Sequence, residues 1–263
     1  MKHIIVLTAL SALLASCEKE LDFHYHDVAP QLVIEATVSN HGTNVILTNT
    51  TPMGEAMNLT RLTDAEVIVT DLTTGDSRTI TANQESAFAD NIAGTEGHEY
   101  RINVNRDGKS YEATSTMRPA TEILSLDFQW IKMPYDYVAV LQVSFTDADT
   151  DNDCYWVRLL RNGLPYMWSV TDDSRAVGGV IHEVIKTSRK DTDKEDDKTV
   201  LHDGDEITAI VAPISREMAD YLNALQKDSN GPQMFKGSFC LGYFLAAPLS
   251  EARITYRPDE MQE

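Results

Sequence analysis

The sequence predicts an all-β protein with one helix: an N-terminal immunoglobulin-like β-sandwich followed by a second β-sandwich or jelly-roll-like domain. Three observations carry this. Short apolar runs with a period of two recur along the chain, turn residues separate them, and helical periodicity is convincing in a single place. A length of 263 residues suits two modest domains, each able to bury its own core.

The first elements lie outside the fold. In residues 1–16, Lys2 supplies a positive start and IIVLTALSALLA an apolar segment of signal-peptide length, too short to span a bilayer. Leu14-Ala15-Ser16-Cys17 resembles the bacterial lipobox, which marks its cysteine for acylation and for cleavage just before it. Cys17 is therefore the expected lipidation site. Each buried acyl methylene contributes about 0.8 kcal/mol, so a cysteine carrying two or three chains is a permanent tether. Residues 17–30, with Glu18, Lys19, Glu20 and Asp22, read as that polar tether. No later segment offers eighteen consecutive apolar residues, which implies a protein on a membrane rather than through it.

Residues 31–117 carry the expected first sandwich. In LVIEATV, Leu32, Ile34, Ala36 and Val38 alternate with Val33, Glu35 and Thr37. AEVIVTD and HEYRINV repeat the pattern through Val67, Val69, Tyr100, Ile102 and Val104. Thr74-Gly75-Asp76 is a turn, and Asn105 to Lys109 joins RINV to SYEATST as a hairpin. About seven short strands fit this stretch.

Residues 118–122, Arg-Pro-Ala-Thr-Glu, are the expected linker, because proline breaks a strand ladder. The second domain, 123–258, opens with Leu124, Leu126, Phe128 and Trp130 on one expected face. VAVLQVSF, CYWVRLLR, LPYMWSV, GGVIHEVI, KTVL and EITAIVAP continue as strands, with Asn162-Gly163 as a hairpin signal. Ser215 caps an expected helix near 215–227, whose Met218, Tyr221, Leu222 and Leu225 form an apolar stripe. DSNGPQ ends it, and residues 259–263 form a tail.

The charge balance, 41 acidic residues against 22 basic, gives a formal −19 and excludes nucleic acid as a partner. Asp147, Asp149, Asp151 and Asp153 alternate along one loop and make a calcium candidate, since calcium takes six to eight oxygens. The EF-hand template fails, with Asn152 and Arg158 at its key positions, and a solvated acidic turn is the stronger reading. His182-Glu183-Val184-Ile185-Lys186 begins like a zinc protease motif but has Lys186 where the second histidine belongs. His24 and His26 are candidates for a metal clip, with surface histidines as the default. Residues 188–206 are rich in both charges and read as a solvated excursion or a recognition loop. Cys154 and Cys240 can form a disulfide or, among apolar neighbours, stay as buried thiols; free thiols are the preferred reading, because nothing in the sequence brings the two together. No catalytic signature emerges, so an enzyme is not expected and no cofactor is assigned.

The order of landmarks, CEKELD, APQLVIEATVSN, DAEVIVTDLTTG, GHEYRINVNRDGKSYEATST, SFTDADTDNDCYWVRL, SREMADYLNALQ and FCLGYFLAAPLSEARI, resembles the Bacteroidota lipoproteins of domain-of-unknown-function family 4249. Gly242-Tyr243-Phe244 is read there as a closing turn. The resemblance implies an outer-membrane lipoprotein, facing outward, that serves a TonB-dependent receptor as an accessory or binding subunit in nutrient uptake. The acids after Cys17 resemble a surface-export signal. An adhesin or minor pilus subunit is the alternative, and a surface hydrolase a third reading.

Overall fold

The computed structural model describes residues 29–52, 60–85, 87–134, 137–148, 153–189 and 199–261. Alternation builds the first strands as expected: in β1 (Leu32–Ser39) Leu32, Ile34, Ala36 and Val38 are buried and Glu35 is exposed. β1 pairs antiparallel with β2 (Gly42–Asn49), and β2 pairs with the short β5 (Phe88–Asp90). β3 (Glu66–Asp71), β4 (Ser77–Ile80), β6 (Glu99–Arg106) and β7 (Lys109–Thr116) form an antiparallel ladder in the order β7-β6-β3-β4. The β6–β7 hairpin turns at Asp107 and Gly108, both at positive φ (51° and 71°), as the right-handed strand twist favours.

The second sandwich uses β8 (Ile123–Lys132), β9 (Tyr137–Thr146) and β12 (Val180–Arg189) in one sheet, order β12-β9-β8. β10 (Cys154–Arg161), β11 (Leu164–Asp172), β13 (Glu206–Ile214) and β16 (Ser250–Thr255) form the other, order β11-β10-β13-β16. Leu141, Phe145, Tyr155, Leu159 and Ile207 fill the space between them, with the Phe145 and Tyr155 rings edge to face at 5.1 Å. Asn162-Gly163 makes the β10–β11 hairpin.

Three local readings change. A bulge between Ile123 and Ser125 shifts the β8 register, so Leu126, Phe128 and Trp130 face the core while Leu124 is 50% exposed. Val200 and Leu201 of the expected strand KTVL are buried in an irregular segment. Gly242-Tyr243-Phe244 lies in a strand, β15 (Leu241–Ala246), rather than a turn.

β15 also departs from the division of the chain at residues 118–122. It leaves the second half and pairs in parallel with β1 along the whole run from Val33–Leu241 to Val38–Ala246. β14 (Lys236–Gly237) likewise joins β7. The first sandwich is therefore a four-stranded sheet, β15-β1-β2-β5, over a five-stranded one, β14-β7-β6-β3-β4, and its core contains Phe235, Cys240, Phe244 and Ala246. The physical reason is that β1 would otherwise present an unpaired edge beside an open core. The single described α-helix, α1 (Arg216–Gln226), precedes this crossover, capped by Ser215 Oγ accepting from the Met218 N–H at 3.1 Å.

Candidate functional site

α1 fixes the site by what it packs against. Met218, Ala219 and Leu222 lie with Cys154, Trp156, Ala212 and Ile214 from β10 and β13 and with Leu245 and Ala247 from the β15 end, so one apolar cluster fastens the two sandwiches. Leu225, the last residue of the expected stripe, finds no such cover and is 50% exposed. Beyond the helix the chain folds back at once: Ser229 N–H donates to Ala224 O at 3.0 Å, and Gly231 passes so close that a Cβ there would meet the Ala224 methyl at 3.0 Å.

This return loop, the end of α1 and the outer face of β1 and β15 enclose a groove of about 610 Å³. Val33, Leu225, Met234, Phe239 and Leu241 make its walls largely apolar, and Tyr221 adds an aromatic face. Phe239 is 57% exposed and Leu241 41%, an unusual openness for large apolar side chains this close together. Glu35 is the carboxylate in the lining, opposite Tyr243 in the β1–β15 register. Its neighbours take water away from it, which raises its carboxyl above the ordinary range. Among the described residues, no hydrogen bond or ion pair holds that carboxylate.

Behind the groove stands a chain of rings. Tyr221 and Tyr243 are 6.3 Å apart, Tyr243 and Trp156 meet edge to face at 5.6 Å, and Trp156 and Trp168 do so at 6.3 Å. The Arg158 guanidinium lies 4.5 Å over the Trp156 ring, and burial lowers its affinity for the proton. Burial pushes the Tyr221 and Tyr243 phenols up, so both stay neutral.

Several of the residues singled out from the sequence lie among the described residues, where each has a structural partner or a place in the fold. Asp153, with a side chain 1% exposed, takes Arg118 at 2.6 Å and pins the linker to β10. Asp147 accepts from the Tyr155 hydroxyl at 2.6 Å, while Asp149 and Asp151 lie outside the described residues. Strand alternation in β12 buries Glu183, where Arg175 reaches it at 3.2 Å, and exposes His182 and Lys186 on the opposite face. His182 Nδ1 is 2.9 Å from Ser144 Oγ. Cys154 and Cys240 are unbridged and buried in different clusters, and burial pushes both thiols up, Cys240 to about 12. Cys17, His24 and His26 lie outside the described residues, as do 190–198 of the charged excursion. The end of that excursion is built rather than loose: Asp205 binds Arg161, Asn162 and the His202 N–H, each at 2.7 Å. Among the described residues no group of three or more His, Cys, Asp or Glu side chains converges on a metal position.

Glu35 and Phe239 were not singled out from the sequence. The one signal was a glutamate on the polar side of β1 flanked by Val33, and nothing local said that an α-helix and a distant strand would close around it.

Fold and groove together define an all-β protein of two sandwiches, sewn together by a returning strand and grooved at the seam. The chain belongs to the family described as Domain of unknown function (DUF4249), whose family model matches residues 18–247. The match ends one residue after β15, so it takes in the strand that completes the first sandwich. No curated protein matches the chain.

Proposed function

We propose that the protein is a lipid-anchored outer-membrane lipoprotein, facing outward, that acts without catalysis as an accessory or binding subunit of a TonB-dependent receptor in nutrient uptake. The observation that carries the reading is Leu14-Ala15-Ser16-Cys17 at the end of a short apolar leader, followed by acidic residues. Three further features support it. The polar residues between Cys17 and β1 leave room for a tether, and among the described residues no helix is long and apolar enough to cross a membrane. The seam groove offers an apolar wall with one carboxylate, the kind of lining that binding sites use.

The test is fractionation of cells carrying the unaltered chain or Cys17→Ser. The unaltered protein is expected in the outer membrane, open to protease added to intact cells, and cross-linked to a TonB-dependent barrel. Cys17→Ser is expected in the soluble fraction. A Cys17→Ser chain that stays in the outer membrane would refute the anchor, and a protease-resistant unaltered chain would refute the outward orientation.

A further inference from the structure

Among the described residues, the groove at the seam is lined by one charged side chain and by no cation that would neutralise it. Its described lining includes no lysine, arginine or histidine, and the other titratable groups in it, Tyr221 and Cys240, are kept neutral by burial. Glu35 therefore sets the sign of the site. An anion would meet repulsion there, and a wholly apolar guest would strip water from a carboxylate without replacing it. A cation does neither, and the formal charge of −19 raises the concentration of cations near the whole surface.

We propose that the groove binds a compact organic cation, an aromatic or aliphatic body with one basic nitrogen. The body lies on Leu225, Met234, Phe239 and Leu241 and the nitrogen meets the Glu35 carboxylate beside the Tyr221 ring. A groove of about 610 Å³ holds a molecule of small-ligand size. Charge-assisted hydrogen bonding to the Glu35 carboxylate supplies the selectivity, and the Tyr221 and Phe239 faces add attraction for the cation. Met234 has the flexibility to adapt the wall to the shape of the guest. The inference rests on the binding role proposed above and names the chemistry of what is bound.

Calorimetric titration of the full mature chain in detergent tests it with three probes that share a 3-ethylindole skeleton: cationic tryptamine, neutral 3-ethylindole itself and anionic indole-3-propionate. Tryptamine is expected to bind saturably and at least about tenfold more tightly than indole-3-propionate. In Glu35→Gln that ratio falls to about one with an unchanged circular dichroism spectrum, since the Glu35 side chain is exposed and outside the core. Leu225→Lys, at a half-exposed position, weakens tryptamine by placing a competing cation at the rim. Absence of saturable binding, a ratio near one in the unaltered chain, or a preference that survives Glu35→Gln overturns the proposal. Glu35→Gln is expected to fractionate like the unaltered chain, so failure of the groove chemistry is read separately from failure of the anchor.

Discussion

Asp205 shows how a single carboxylate in a charged segment becomes structural. Burial alone would raise its carboxyl, but the His202 N–H, Asn162 and Arg161 outweigh that and hold it below the usual value. The sign of its pH dependence follows. A carboxyl whose folded pKa lies below the unfolded value of about 3.9 stabilises fully above that value and loses the contribution as pH falls through the folded pKa. Asp205→Asn is therefore expected to cost about 1–2 kcal/mol at neutral pH in urea denaturation, with the difference from the unaltered chain shrinking below about pH 4. A difference that is constant from neutral to acid pH would show that the charge is not what matters. The run of mixed charge at 188–206 gave no hint of this node, because hydrogen bonding by Asp205 depends on where the Asn162 hairpin lies in space.

Elements were legible wherever their cause was local. The strands of 31–117, the hairpins at Asp107-Gly108 and Asn162-Gly163, and the Ser215 cap all follow from residues within a few positions of one another. β15 was not legible, because a parallel partner some two hundred residues from β1 leaves no mark on the period of either strand. The same holds for the groove, whose Glu35, Tyr221 and Phe239 meet only through that pairing. Gly242 is where the crossover is most exacting. Its φ is +104°, and a Cβ there would sit 2.0 Å from the Ile34 carbonyl oxygen on the paired strand. Gly242→Ala is thus expected to cost about 3 kcal/mol or more, while alanine at the exposed neighbouring position Leu241 costs far less. Equal midpoints for the two variants in chemical denaturation would contradict the close approach of β15 to β1.

At the scale of the molecule, the two sandwiches are not beads on a string. Phe235, Phe244 and Ala246 complete the first core from the far side of the sequence, Arg118 and Asp153 lock the linker, and the α1 cluster joins both halves. Residues 31–117 expressed alone lack two strands and part of their core, so they are expected to show no cooperative urea transition, whereas the full chain does. A sharp transition in the fragment would mean that β14 and β15 are dispensable.

The same interlocking places the groove at a fixed position relative to β1, and β1 follows directly on the residues that begin at Cys17. In the function proposed above, this cysteine carries lipid and holds the sandwiches on a membrane. Mass spectrometry of the N-terminal peptide from protein purified out of its native membrane tests it most directly. The expected result is a chain that begins at Cys17, with diacylglycerol on the thiol and the peptide running into Glu18-Lys19. A free Cys17 thiol, or a chain that still bears residues 1–16, would contradict it.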